Sequence, residues 1–250
     1  MKKAIKIGGA VLGVLAAAAL VIFIFFPGLP TYIRVKHKYD NINSRVAEFP
    51  RVDVPADYKE YTVRGAAFRL PADWKPKIVA EGLTPSSYRS ADNKSMIMAI
   101  KYDQSYHDIL YGEEALYDPW EGYEHSEDDY RHFFSKVGAD YPEKWLNILM
   151  IWLVRDGFTA KDCLKLRGTD LKVFKELSDI KEDSEEYEKS WKTSGEGFRA
   201  YIGQVTGLGY DGGIWTYTIL PDGSEDIIVV TLKCADEATA RKIVSTIKLA

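Results

Sequence analysis

GFRAYIGQVTGLGYDGGIWTYTILPDGSEDIIVVTLK, residues 197–233, decides the fold class. It holds three extended runs, GFRAYIGQV, GIWTYTIL and DIIVVTLK, rich in β-branched and aromatic residues. Pro221–Asp222–Gly223–Ser224 is strong turn chemistry between the second and third. Gly207, Gly209 and Gly212 spell G-x-G-x-x-G, but a dinucleotide fingerprint needs a helix after the glycines, so that its N-terminus meets phosphate. A strand-like run follows instead. A kinase glycine loop does lie between strands, yet fewer than 40 residues remain, too few for a catalytic lobe. The glycines therefore read as a hairpin connection. After the third run a helix starts near Asp236, with Ala240, Ile243, Val244 and Ile247 forming one apolar stripe at i, i+3, i+4, i+7.

Working towards the N-terminus, the middle of the chain reads as helical. Ser126–Glu127–Asp128–Asp129 resembles a capping box, and Tyr130, Phe133, Phe134 and Val137 follow as a helical stripe. Pro142 suits the first turn of the next helix. WLNILMIWLV, from Trp145 to Val154, is apolar nearly all round and stops at Gly157. It is too short to span a bilayer and reads as the most buried helix, a second membrane contact being the alternative. Thr159 and Thr169 look like caps of two shorter helices, the second running into the solvated charged stretch KEDSEEYEK. Further upstream, YTVRGAAFRLP reads as a tight hairpin around Gly65, and SSYRSADNKSMIMAIKYD as two extended runs around an Ala91–Lys94 turn. Asn93–Lys94–Ser95 matches a glycosylation sequon, a pattern that short matches meet readily by chance. The expected class is α+β: an antiparallel sheet packed with helices over residues 59–250, carrying a large helical insertion at about 107–192.

The segment YTVRGAAFRLPADWK resembles the opening hairpin of PsbP/Mog1-like sandwich domains, with their F-x-x-P-x-x-W turn present as Phe68, Pro71 and Trp74. The closing segment, from IIVVTLK to ARKIVSTIKLA, is similar to that family's last strand and helix. The resemblance covers the two chain ends, and the helical block departs from it. It implies a sandwich fold and a binding or assembly module. Bacterial members are often tethered lipoproteins or single-pass proteins, and there are no shared catalytic residues to carry over.

The N-terminus has its own character. Residues 1–6 form a basic tail, and Ile7 to Phe26, IGGAVLGVLAAAALVIFIFF, carry no charge. Twenty helical residues reach ~30 Å, the hydrocarbon thickness of a bilayer. The expectation is one transmembrane helix over 7–26. A cleaved signal peptide is disfavoured because Ala16–Ala19 lead into a further apolar run, and a buried soluble helix would show a polar face. No cysteine is present there for a lipoprotein anchor. Lys2, Lys3 and Lys6 precede the span and Arg34, Lys36 and Lys38 follow it, so the positive-inside rule is nearly tied. The free amino terminus tips it to N-in, with the domain extracytoplasmic and the protein single-pass in the cell membrane. The cluster from Arg34 to Lys38 either touches anionic headgroups or only fixes the helix in depth. Residues 27–58 then read as a juxtamembrane linker stiffened by Pro50 and Pro55.

The net charge of −4, with six cations and no acid in the first 38 residues, leaves an acidic body and disfavours nucleic acid as a partner. Residues 104–130 are its most unusual stretch: nine acids without Lys or Arg, interleaved with aromatics. Tyr117, Trp120, Tyr123, Glu121 and Glu124 form the candidate binding surface, suited to a basic protein or a cationic ligand. The alternatives are an acidic loop whose aromatics pack on the sheet, or a metal site. Calcium-loop spacing is absent, and His125 and His132, with Asp128 one turn before His132, lack a third ligand. No nucleophile motif and no cofactor motif occurs, and no catalytic residue is assigned. Two cysteines exclude a disulfide-rich scaffold. Cys163 and Cys234 either pair, restraining the unfolded chain by ~4 kcal/mol, or remain free as small core residues. The leading expectation is a membrane-anchored extracytoplasmic binding or assembly module. The alternative is a membrane-tethered hydrolase using carboxylates or a metal.

Overall fold

The computed structural model describes residues 20–21, 24–77, 87–105, 120, 122–183 and 187–250. The fold is mixed α+β, and the chain divides into two units. A sheet unit comprises Val46–Pro119, Pro142–Leu149 and Glu185–Ala250; a helical unit comprises Met1–Arg45, Trp120–Tyr141 and Met150–Ser184.

In the sheet unit, strands β1 (Ala47–Glu48), β4 (Lys75–Lys77), β5 (Ser87–Arg89), β6 (Met96–Tyr102), β7 (Lys189–Gly195), β8 (Phe198–Val205), β9 (Ile214–Pro221) and β10 (Ile227–Lys233) form one sheet among the described residues. Its order is β1-β7-β8-β9-β10-β6-β5-β4. All pairings are antiparallel except β1 with β7. Residues at alternate positions of neighbouring strands meet on one buried face: Ala99, Val230, Tyr217 and Ile202 lie in one cross-strand row, and Ile97, Leu232 and Trp215 in the next. A second sheet pairs β2 (Lys59–Val63), β3 (Ala66–Leu70) and β11 (Lys248–Leu249) in the order β11-β3-β2. The β2–β3 hairpin turns on Arg64 and Gly65, both with positive φ (51° and 85°), the two-residue turn whose twist matches the strands. Helix α5 (Glu237–Val244) is capped by Asp236, which accepts the Thr239 N–H at 2.6 Å. Its Ala240, Ile243 and Val244 enter one buried cluster with Phe68, Leu70 and Trp74.

The G-x-G-x-x-G segment is a hairpin connection between β8 and β9, with Gly207 and Gly209 at φ 79° and 80°. At Gly212 the backbone passes so close to Asp236 that a Cβ would lie 2.5 Å from its carbonyl carbon. That close approach, rather than a phosphate, explains the third glycine.

In the helical unit, helix α2 (Glu127–Val137) starts in a true capping box. The Ser126 N–H donates to Asp129 Oδ2 at 3.2 Å, and the Asp129 N–H donates back to Ser126 Oγ at 3.3 Å. Its stripe Tyr130, Phe133, Phe134 and Val137 is buried throughout. Helix α3 (Leu146–Gly157) belongs to this unit from Met150 on, and α4 (Thr169–Asp183) completes it. Phe158 lies between Phe133 and Phe174, with centroids 5.4 and 5.5 Å away, and the outer two rings are 6.4 Å apart. Thr159 caps a 3₁₀ turn, Ala160–Lys165, through Asp162.

Three sequence expectations change here. Within residues 27–58, positions 29–49 are packed structure rather than a linker: helix α1 (Leu29–Lys38), a 3₁₀ turn at Asn41–Asn43 and β1, with Val35, Tyr39, Ile42, Val46 and Phe49 buried, whereas positions 50–58 form no helix or strand and none of them is buried. Sparse apolar residues in a polar stretch, each finding a partner from a distant segment, escape a periodicity reading. The helix expected from Pro142 begins at Leu146, because Trp145 takes φ 60°, outside the right-handed helical region. The helical block ends at Asp183, and β7 replaces its expected tail to residue 192. The expected transmembrane span, 7–26, lies outside the described residues except for Leu20, Val21 and Ile24–Phe26, all exposed. Among the described residues no helix is long and apolar enough to cross a membrane.

Candidate functional site

Among the described residues, the acidic aromatic stretch divides into a buried floor and an exposed rim. Trp120, expected as a contact residue, is only 2% exposed and forms part of the floor. It stacks on Tyr130 with centroids 3.7 Å apart at 14°, meets Tyr123 edge-on at 5.2 Å, and donates from Nε1 to the Tyr141 hydroxyl at 2.9 Å. An indole this large is worth more packed than wet, provided its N–H is satisfied, and Tyr141 satisfies it. The Tyr141 hydroxyl lies 3.3 Å from Glu127, and Arg131 covers the Tyr141 ring while bonding Glu127 at 3.1 Å.

Helix α4 provides the second wall. Lys172, Lys175, Glu176, Asp179 and Ile180 fall at i, i+3, i+4, i+7 and i+8, one helical face. Together with Tyr123 and Glu124 they line an open cleft of about 670 Å³. Glu176 joins the two walls: it accepts the Glu124 backbone N–H at 2.8 Å and the Tyr130 hydroxyl at 2.6 Å. His125 Nδ1 lies 3.2 Å from the same carboxylate without hydrogen-bond alignment. Asp179 accepts from Lys38 Nζ at 2.8 Å and from the Tyr39 hydroxyl.

The electrostatics separate fixed groups from available ones. Burial, then the bond to Glu176, raises the Tyr130 phenol above its ordinary range. Burial is also the main cause raising Tyr141. Both hydroxyls therefore stay protonated and act as pins. Partial burial pushes Asp179 up, but the bonds from Lys38 and Tyr39 outweigh it and leave the carboxyl below its usual range. Lys172, Lys175 and the Glu124 carboxylate form no ion pair among the described residues. The cleft thus presents two ammonium groups and a carboxylate around an aromatic edge.

Of the expected surface residues, the structure brings Tyr123 and Glu124 to the cleft and turns Trp120 inward; Tyr117 and Glu121 lie outside the described residues. The α4 lysines and acids escaped sequence reading, although their spacing puts them on one face. The partner wall lies some fifty residues upstream in the chain, and nothing local pairs the two. His132 bonds Asp170 of α4 at 2.7 Å rather than its helical neighbour Asp128. No group of three or more His, Cys, Asp or Glu able to hold a metal occurs among the described residues. Cys163 and Cys234 are free and buried. Cys163 donates to the Gly28 carbonyl at 3.4 Å, and burial, then Asp162, pushes its thiol up to about 12. The Ser95 hydroxyl lies 3.7 Å from the Cys234 sulfur.

No family model matches the chain, and no curated protein matches it. Among solved structures it is similar to cyanobacterial PsbP (CyanoP) from Synechocystis sp. PCC 6803, known from a solution structure, at 10% identity over 80% of this chain and 98% of that one. The TM-score is 0.33, a superposition too loose to carry an argument about fold or activity.

Proposed function

We propose that the protein is a single-pass, membrane-anchored binding or assembly module whose folded body lies outside the cytoplasm and engages a partner through the Tyr123–Glu124 cleft. The observation that carries this reading is the cleft's construction. Its floor is pinned by Trp120, Tyr130, Tyr141 and Glu176, while Lys172, Lys175 and Glu124 stay available at the rim. A rigid aromatic base with unspent charges at its edge suits recognition of another surface. Lys172 and Lys175 change the expected partner. An acidic stretch alone suits a basic protein or a cationic ligand, whereas this mixed rim suits a segment carrying both signs. The membrane-tethered hydrolase is less well supported. A general acid in the cleft needs a carboxyl shifted upward, and Asp179 is shifted downward.

The test is site-specific photo-crosslinking from position 123 in native membranes. A discrete adduct is expected, lost on Lys172→Glu/Lys175→Glu in protein of unchanged thermal midpoint. An unchanged adduct pattern in that variant would refute the cleft. Protease added to intact cells should remove the body; its protection would refute the topology.

A further inference from the structure

The outward face of α1 is not used by the cleft. One side of this helix is fastened within the helical unit. Thr31, Val35 and Tyr39 are buried, and a Cβ at Gly28 would lie 1.9 Å from the Cys163 carbonyl oxygen, so backbone meets backbone there. Glu182 accepts the Asn41 N–H at 3.0 Å just beyond the helix end. The other side carries Pro30, Ile33, Arg34 and His37, spaced i, i+3, i+4 and i+7, all exposed, and Phe26, three residues before the helix begins, is exposed as well. Phe26 is 55% and Ile33 51% exposed, an unusual face for water. Arg34 and Lys36 form no ion pair among the described residues.

Building on the membrane-anchor reading, we propose that α1 is an interfacial helix that seats the helical unit on anionic lipid headgroups, with Phe26 and Ile33 dipping towards the acyl boundary and Arg34 and Lys36 at phosphate level. Three observations choose lipid as the occupant. The face mixes apolar and basic side chains, the composition that an interface accepts on both counts. No acid occurs anywhere in residues 1–38, so charge complementarity is with an anionic surface. Phe26 is also the last residue of the apolar run 7–26, so α1 begins where a bilayer span would end. Because α1 is clamped from behind, its docking orients the unit that bears the cleft.

The experiment uses the full chain with Ile33→Cys carrying an environment-sensitive fluorophore, Cys163 and Cys234 being buried. It is mixed with vesicles of phosphatidylcholine alone, or of phosphatidylcholine and phosphatidylglycerol in equal parts. Flotation with both reads the anchor. The label is expected to shift to the blue and to be quenched by a lipid-borne quencher only in the anionic vesicles, and high salt should reverse this. Arg34→Glu/Lys36→Glu should lower the ratio of immersed to exposed label at least about ten-fold, with Arg34→Gln/Lys36→Gln in between. Flotation with both lipids but a label in water throughout overturns the proposal and leaves the anchor standing. Flotation with anionic vesicles alone sinks the anchor and keeps α1 as a lipid-binding helix; flotation with neither overturns both. A label immersed equally in both lipids, or already shielded before lipid is added, overturns the assignment to anionic headgroups, the latter in favour of a protein covering that face.

Discussion

The sheet unit and the helical unit reach dry interiors by different routes, and the difference decides what each can reveal in advance. The sheet core comes from cross-strand rows such as Ala99, Val230, Tyr217 and Ile202, where most strands neighbour the next strand in sequence. Each unit collects three separate segments, but the side-chain bonds that build the cleft in the helical unit join residues far apart in the chain, as Glu176 does with Glu124 and Asp179 with Lys38. Local pattern is therefore informative in the first and only partly so in the second. The same difference places the candidate site: an interface assembled from distant segments leaves side chains at its edge that no single segment explains.

The comparison breaks most visibly at the rings. Phe174→Ala in the helical cluster and Phe68→Ala in the sheet core should each cost about 3–5 kcal/mol, measured as a lowered urea midpoint at unchanged slope. A cost below about 1 kcal/mol at Phe174 would mean that the helical interior is loosely packed after all.

A smaller effect, of opposite sign, belongs to the sheet. Gln204 is fully buried, and among the described residues neither its Nε2 nor its Oε1 has a hydrogen-bond partner. Gln204→Met should therefore raise stability by about 1–3 kcal/mol, seen as a higher thermal midpoint. A lowered midpoint would show that the amide is satisfied in solution.

Smaller again is the cap. Ser126→Ala removes the acceptor for the Asp129 N–H and should cost about 1 kcal/mol, with faster amide exchange confined to the first turn of α2. Exchange that speeds up along the whole helix would mean that the cap holds more than its own turn.

A further effect is a pH slope. Lys181 is buried, donates to the Phe158 carbonyl at 2.7 Å, and burial, then Arg45, pushes it down to about 8. Between there and the ordinary lysine range the unfolded chain binds more protons than the folded one, so stability should rise with pH. The rise ends towards the tyrosine range, because Tyr130 and Tyr141, both raised on folding, begin to favour the unfolded state as their phenols ionise there. Lys181→Met should flatten the rising limb, and an unchanged limb would place its source elsewhere.

Much of the sheet unit was legible in the sequence. The β2–β3 hairpin, the glycine connection at 207–213, the Pro221–Ser224 turn and the α5 stripe appear as read, because turn chemistry and periodicity act over a few residues. β7 was missed: in KSWKTSG only Trp191 is a strong strand signal, and its pairing with β8 supplies the rest. At the candidate site, composition singled out a stretch that contributes to the cleft but not the place of each residue in it. Trp120 and Tyr123 are near neighbours of similar chemistry, yet one is the floor and the other the rim.

By itself the sequence determined the α+β class, the Ser126 capping box, the amphipathic stripes and the apolar, acid-free N-terminus, since each depends on side-chain type and spacing along a few turns or strands. Only the tertiary structure decided which aromatic is buried, which carboxylate is engaged, that residues 29–49 pack rather than link, and that two lysines of α4 stand across from Tyr123 and Glu124. Those outcomes depend on which distant surface covers a given face, and burial and charge pairing are properties of the pair rather than of either segment alone.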